Sequence, residues 1–171
     1  VLIYGASGGV GTFAVQIAKA LGARVTAVCS AAKLDLARDL GADEAHDYET
    51  ADITTRTDKF DVILGVNGYQ PLRNYLACLR PDGRYVMIGG AGRQAFEGLI
   101  ATAWSKLSSG RVRTCRIAPS AERLGALAQL VDAGKLKPVV DATIPLADAA
   151  GALRAVETGH SRGKTVLLVE W

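Results

Sequence analysis

The segment at residues 5–11, Gly-Ala-Ser-Gly-Gly-Val-Gly, has the composition of a turn that binds phosphate groups. In the dinucleotide-binding pattern, Ala6 would make the tight turn, Gly8 would let the backbone approach a pyrophosphate, and Gly11 would let a helix pack closely on a strand. The amides and the dipole at the helix N-terminus attract the negative charge of the phosphates. The segment therefore predicts a pyrophosphate site made by Ser7, Gly8, Gly9, Val10 and Gly11.

The residues after the next apolar run indicate which dinucleotide this turn would hold. An NAD site usually has Asp or Glu at this point to bind the ribose hydroxyls, whereas this chain has Cys-Ser-Ala-Ala-Lys at residues 29–33. A carboxylate would repel a 2′-phosphate, but the hydroxyl of Ser30 and the ammonium of Lys33 would bind one. The pattern favours NADP(H) as the cofactor. The alternative is that Ser30 caps a helix and Lys33 is a solvated surface charge.

The elements around the turn must form a sheet that holds it in place. Short apolar runs alternate with stretches of helical spacing from the first residue to about residue 118. Strands are expected at 1–4, 24–29, 44–48, 60–64, 84–88 and 112–118, and helices at 10–21, 31–40 and 70–79, with a turn at 80–83. This alternation predicts an α/β fold, a Rossmann-type doubly wound parallel sheet with helices on both faces.

The pattern changes after residue 118. Helices are expected at 122–133 and 147–157, and strands at 139–144 and 165–169. These two late strands do not continue the alternation. We therefore predict a dinucleotide-binding domain at residues 1–118 and a separate C-terminal segment at residues 119–171.

Composition excludes several other classes of protein. The chain has 171 residues, of which 49% are hydrophobic and 22% charged, so it is neither disordered nor collagen-like. Its net charge of +3 and its 6% of aromatic residues argue against a nucleic-acid partner. No apolar run is long enough to span a membrane. The three cysteines, Cys29, Cys78 and Cys115, are predicted to be reduced core residues of a cytoplasmic protein, with no metal-binding spacing among them.

Longer stretches resemble one family, the medium-chain dehydrogenase/reductases in their quinone oxidoreductase-like (zinc-type alcohol dehydrogenase-like) branch. The resemblance rests on Gly-Ala-Ser-Gly-Gly-Val-Gly-Thr-Phe-Ala-Val-Gln-Ile-Ala-Lys at 5–19, Pro-Asp-Gly-Arg-Tyr-Val at 81–86 and Gly-His-Ser-Arg-Gly-Lys at 159–164. It covers nearly the whole chain but only the C-terminal half of such an enzyme. It implies that residues 119–171 return to a GroES-like catalytic domain, most of which would precede Val1, a residue that already lies inside an apolar run.

The resemblance also implies roles for individual residues. Lys33 and Tyr48 match positions near the adenosine 2′-phosphate. Asn67 and Ala91 match positions that line the nicotinamide side, and Lys164 matches a basic position near the pyrophosphate. Strand ends are also where an open α/β sheet binds its ligand. No catalytic residue and no metal ligand is identified in this chain.

The function that the family implies is NADPH-dependent transfer of hydride to a quinone, an enone or a carbonyl compound, by a homodimer. The cytoplasmic location is the expectation drawn from the cysteines. The main alternative is a module that binds or senses NADP(H) without chemistry of its own. A short-chain dehydrogenase, read through Gly5, Gly9 and Gly11, is disfavoured because no Tyr-x-x-x-Lys pair occurs. A methyltransferase would normally need an acid where Ser30 stands.

Overall fold

A six-stranded parallel sheet forms most of the N-terminal part of the protein. The computed structural model describes residues 1–55, 60–66, 70–89, 111–115, 118–159 and 161–169. The strands of the sheet are β1 (Leu2–Tyr4), β2 (Thr26–Cys29), β3 (Glu44–Asp47), β4 (Phe60–Val66), β5 (Leu79–Ile88) and β6 (Val112–Thr114). Their order is β3-β2-β1-β4-β5-β6, and every neighbouring pair is parallel. The predicted doubly wound fold is confirmed, and the order of the strands reverses between β1 and β4.

Helices cover both faces of this sheet. They are α1 (Gly11–Ala20), α2 (Leu34–Asp39), which follows a 3-10 turn at Ala31–Lys33, and α3 (Leu72–Cys78). Alternate residues of β1 point to opposite faces: Leu2 and Tyr4 belong to the same apolar cluster as α3, and Ile3 belongs to the cluster of α1 and α2. Strands covered on both faces must be apolar throughout, which explains why the run at the start of the chain does not alternate with polar residues.

The turn expected at residues 80–83 is instead an irregularity within β5. The register passes from Phe60 opposite Leu79 to Val62 opposite Arg84, so four residues of β5 bulge out between these pairs. The guanidinium of Arg111 donates to the carbonyl of Arg80 at 3.0 Å and stabilises the bulge. A local turn pattern could not show this, because the strand resumes pairing immediately after it.

A second, smaller sheet forms the C-terminal part. Helix α4 (Ala121–Asp132) precedes β7 (Val140–Pro145), and helix α5 (Ala149–Glu157) connects it to β8 (Lys164–Leu168). β7 and β8 pair in parallel with each other and not with the large sheet. The strands that follow the expected change of pattern at residue 118 thus belong to a different sheet from the strands before it. The domain boundary itself stays a prediction.

Burial confirms two of the three expected core cysteines. Cys29 and Cys78 are buried, but Cys115 is exposed just after the edge strand β6, so its prediction as a core residue was wrong. An edge strand has a neighbour on one side only, and this distinction is invisible in an apolar sequence run. No helix in the described part of the chain has the length and apolar character needed to cross a membrane.

The side chain of Gln16 joins the C-terminal part to helix α1. Its amide nitrogen donates to the carbonyl of Lys137 at 3.0 Å, and its amide oxygen accepts the backbone N–H of Lys137 at 2.8 Å. Gln16 is buried, and the two bonds imitate the pairing of neighbouring strands. The side chain of Gln16 therefore pairs with both the N–H and the carbonyl of Lys137, a residue 121 positions further along the chain.

Gln16→Ala removes both of these bonds. We expect the free energy of unfolding to fall by about 1–3 kcal/mol, because Lys137 loses partners for its N–H and its carbonyl at a partly buried site. Urea denaturation followed by circular dichroism measures the change.

The control is Gln129→Ala, which removes a glutamine side chain from an exposed position on α4. We expect it to change stability by less than about 0.5 kcal/mol. Equal stability of the two variants would contradict a joining role for Gln16.

Candidate nucleotide-binding site

A cavity of about 530 Å³ lies at the carboxyl ends of the central strands. The glycine-rich turn, the ends of β1, β2, β4 and β5, and the C-terminal part all contribute to its wall. Eight of the residues predicted from the sequence line it: Ser7, Gly8, Gly9, Val10, Ser30, Lys33, Tyr48 and Lys164. Gly11 lies beneath the turn, and Asn67 and Ala91 lie outside the described residues. Residues predicted from distant parts of the sequence thus meet at one site.

The glycine-rich turn is folded tightly against β1 and β4. Gly5 has a φ of +83°, and a Cβ there would collide with the carbonyl of Val66. The backbone N–H of Gly5 donates to Val28 at 2.9 Å, which holds the turn against the end of β2. A Cβ on Gly11 would collide with the carbonyl of Gly5 and lie 2.7 Å from the Cα of Ala6. Only glycine fits where α1 begins, as the dinucleotide pattern requires.

Gly8 and Gly9 have different surroundings although they are neighbours. A Cβ on Gly8 would meet only the carbonyl of Gly5, at 3.9 Å, so this Cα faces the open cavity. A Cβ on Gly9 would lie 2.7 Å from the ammonium nitrogen of Lys164. Lys164 therefore lies directly against the turn, and its positive charge adds to that of the helix N-terminus. An anion held by the turn would interact with both the ammonium of Lys164 and the N-terminus of α1.

Lys33 is buried at the other end of the cavity, 8% exposed, so the alternative of a solvated surface charge is wrong. Its ammonium donates to the carbonyl of Ser161 at 3.2 Å. Burial lowers the pKa of Lys33, and the neighbouring Cys29 and Asp141 oppose that shift. Ser30 precedes the 3-10 turn, but its side chain makes no capping hydrogen bond. Ser30 lines the cavity together with Lys33.

Cys29 and Tyr48 also line the cavity. Cys29 is the last residue of β2, and burial raises the pKa of its thiol, an effect that Lys33 partly opposes. Tyr48 follows β3, and its backbone N–H donates to the carbonyl of Cys29 at 3.2 Å. Tyr48 is therefore fixed at the strand end where the resemblance expects contact with the adenosine.

Several residues of the cavity wall were missed by the sequence analysis. Tyr4 directly precedes the glycine-rich turn, and the rule that ligands bind at strand ends could have indicated it. Val156, Ser161 and Thr165 come from the C-terminal part. Ser161 lies within the stretch at 159–164 that carries the resemblance, although no role was predicted for it. No local pattern marks Val156 or Thr165, because the packing of the second sheet against the turn brings them to the cavity.

The described residues do not fit a metal ion. Across the ranges that the structure describes, no group of three or more His, Cys, Asp or Glu side chains could hold one. The glycine amides of the turn, the ammonium groups of Lys33 and Lys164 and the hydroxyl of Ser30 are groups that suit phosphate oxygens.

A family model supports the assignment that this fold and site suggest. The model described as zinc-binding dehydrogenase matches residues 40–167, so the chain belongs to the zinc-binding dehydrogenase family. Its relatives carry oxidoreductase names, which confirms the predicted resemblance to the quinone oxidoreductase-like branch.

Two curated relatives illustrate the likeness in sequence. The mitochondrial NAD(P)H oxidoreductase RTN4IP1 of Danio rerio is 36% identical over 189 residues, covering 99% of this chain and 49% of that protein. The chloroplastic quinone-oxidoreductase QR1 of Triphysaria versicolor is 33% identical, covering 98% of this chain and 51% of that protein. The chain spans about half the length of the curated relatives it matches.

Solved structures show the same likeness in three dimensions. The quinone oxidoreductase of Coxiella burnetii superposes with a TM-score of 0.84 at 26% identity, covering 99% of this chain and 52% of that one. The quinone oxidoreductase of Escherichia coli, solved in complex with NADPH, superposes with a TM-score of 0.75 at 26% identity. The match covers 98% of this chain and 56% of that one.

Gly8→Val tests whether the turn binds a pyrophosphate. A branched side chain at Gly8 would point into the cavity and keep the phosphates away from the backbone, while touching little of the protein itself. We expect NADPH affinity to fall about 100-fold or more, with stability changed by no more than about 1 kcal/mol. Titration by NADPH fluorescence and thermal unfolding measure the two effects.

Gly125→Val is the matched control, since a Cβ there has no neighbour within 4 Å and lies on α4 outside the cavity. It should bind NADPH like the unsubstituted chain. Normal binding by Gly8→Val would mean that the site lies elsewhere.

Proposed function

We propose that this chain is the NADP(H)-binding part of an oxidoreductase that transfers hydride to a quinone, an enone or a carbonyl compound. One observation carries the proposal: the cavity joins the glycine-rich turn to two lysines, Lys33 and Lys164, and no carboxylate occurs among its described lining residues. A site for NAD would normally place Asp or Glu at the end of β2. This arrangement instead suits a cofactor with one more phosphate.

The two ends of the cavity would hold two different phosphate groups. Gly8, Gly9 and Lys164 would bind the pyrophosphate, whose charge matches the helix N-terminus and the ammonium beside it. Ser30 and Lys33 would bind the 2′-phosphate, and Tyr48 would contact the adenosine. Asn67 and Ala91 remain proposed for the nicotinamide side.

The bound nicotinamide would supply or accept the hydride, and the task of the protein is to hold and orient it. The apolar side chains of Val10 and Val156, which line the cavity, would exclude water along its wall. The proton donor and the substrate pocket are not assigned to any residue of this chain.

The names of the relatives support this proposal. One is an NAD(P)H oxidoreductase, another is a quinone oxidoreductase, and a structural neighbour was solved with NADPH. These names favour an enzyme over the alternative of a module that binds NADP(H) without chemistry.

For the whole protein we keep the proposals of a homodimer and of a cytoplasmic location. Three cysteines that form no disulfide fit a reducing compartment. Two relatives are named mitochondrial and chloroplastic, so an organelle is the competing location.

The choice of cofactor is tested by comparing NADPH with NADH. We expect NADPH to bind at least about tenfold more tightly, a difference of about 1.4 kcal/mol, because the 2′-phosphate gains charge-assisted bonds to Lys33 and Ser30. Lys33→Ala should weaken NADPH by about tenfold and leave NADH nearly unchanged. Fluorescence titration of both cofactors gives the four dissociation constants.

Lys135→Ala removes an equal charge from an exposed site away from the cavity and should leave both affinities as they are. If the unsubstituted chain binds the two cofactors equally, the assignment of NADP(H) is wrong.

A further inference from the structure

Residues 161–164, which lead into β8, contact both ends of the cavity. The carbonyl of Ser161 accepts a hydrogen bond from the ammonium of Lys33 at 3.2 Å. The backbone N–H of Gly163 donates to the carbonyl of Ser7 at 3.1 Å. This short segment therefore joins the lysine at the adenosine end to the glycine-rich turn.

The beginning of β7 holds the 161–164 segment in place. The backbone N–H of Lys164 donates to the carbonyl of Val139 at 2.8 Å. The carboxylate of Asp141 accepts the backbone N–H of Arg162 at 3.2 Å. These two bonds fix the residues on both sides of Gly163.

Asp141 owes its position to a break in the register of the small sheet. Val140 pairs with Lys164, and Ala142 pairs with the next residue, Thr165, so Asp141 is one residue too many on β7. Such a bulge redirects a side chain that regular pairing would hold in the ladder. Here it brings the carboxylate of Asp141 to the backbone of the 161–164 segment.

The charge of Asp141 also reaches Lys33. Burial is the main influence on the pKa of Lys33 and lowers it, while Asp141 is one of the groups that raise it. Asp141 is not among the residues that line the cavity, but it lines an adjoining pocket that shares Ser161 with it. We therefore expect Asp141 to act on a bound nucleotide through other residues.

We propose that Asp141 is a positioning residue for cofactor selection, holding the 161–164 segment so that Ser161 fixes the ammonium of Lys33 where a 2′-phosphate would lie. The proposal rests on the proposed function, because it concerns the same NADP(H) site. A lysine side chain loses much rotational freedom when it binds a ligand, and fixing it beforehand lowers that cost. NADH has no 2′-phosphate and would gain nothing from the fixed lysine.

The experiment measures NADPH and NADH affinities of the 171-residue chain and of three variants. Asp141→Ala removes the acceptor of the Arg162 N–H, and we expect it to weaken NADPH about fivefold and NADH by less than twofold. Asp141→Asn keeps an oxygen that can accept this bond, and we expect it to restore NADPH affinity to within about twofold. Asp148→Ala is the control: Asp148 is a nearby exposed aspartate whose side chain caps no helix, and both affinities should stay unchanged.

A fourth variant tests whether Asp141 acts through Lys33. In a Lys33→Ala background, adding Asp141→Ala should not weaken NADPH further, because residues that work through one another are not additive. Retained NADH binding shows that each variant is folded.

Three results would overturn the proposal. They are an equal loss of NADPH and NADH affinity in Asp141→Ala, an Asp141→Asn variant as weak as Asp141→Ala, and additive losses in the double variant. In each case the chain still binds NADPH, so the proposed function would stand. Failure of the unsubstituted chain to bind either nucleotide would instead overturn the proposed function and this inference with it.

Discussion

The close approach of helix α1 to strand β1 is the constraint on which the rest of the structure depends. At Gly11 a single methyl group would collide with the carbonyl of Gly5, and at Gly5 it would collide with the carbonyl of Val66. These contacts fix where α1 begins relative to the ends of β1 and β4. Gly8 in the same turn faces open space. The turn therefore packs tightly against β1 and β4 on one side and leaves its backbone accessible on the side of the cavity. The same turn therefore supports the packing of α1 and the proposed binding of a pyrophosphate.

The cavity above this turn is completed by residues far away in the chain. Polar contacts between described residues connect the two parts, among them the amide of Gln16 with Lys137, the carbonyl of Ser7 with Gly163, and the ammonium of Lys33 with Ser161. Each contact restricts how the two parts can move against each other, because each is a hydrogen bond to a backbone group and hydrogen bonds are directional. These contacts attach the small sheet through the residues that precede β7 and β8. Lys164, the first residue of β8, can therefore lie against the glycine-rich turn.

Sequence analysis predicted well what is determined locally. Most helices and strands begin and end within about two residues of their predicted bounds, because apolar periodicity and glycine stops act over short distances. The tight glycine-rich turn before α1 was predicted for the same reason. The burial of Lys33, the role of Ser161 and the exposure of Cys115 were not predicted, since each depends on which distant segment packs nearby. The bulge within β5 was not predicted either, because it depends on how β5 pairs with β4.

The burial of Lys33 has a consequence for the site as a whole. Placing an ammonium in a poorly hydrated position costs free energy, and the lowered pKa of Lys33 reflects that cost. The carbonyl of Ser161 and the more distant charge of Asp141 compensate for part of it. The described residues that line the cavity include no carboxylate. A phosphate dianion placed there would add a negative charge beside Lys33 and favour the charged form of this lysine. If the proposed 2′-phosphate binds there, nucleotide binding and protonation of Lys33 would be coupled, and the burial of this lysine would be a physical reason for the proposed preference for NADP(H).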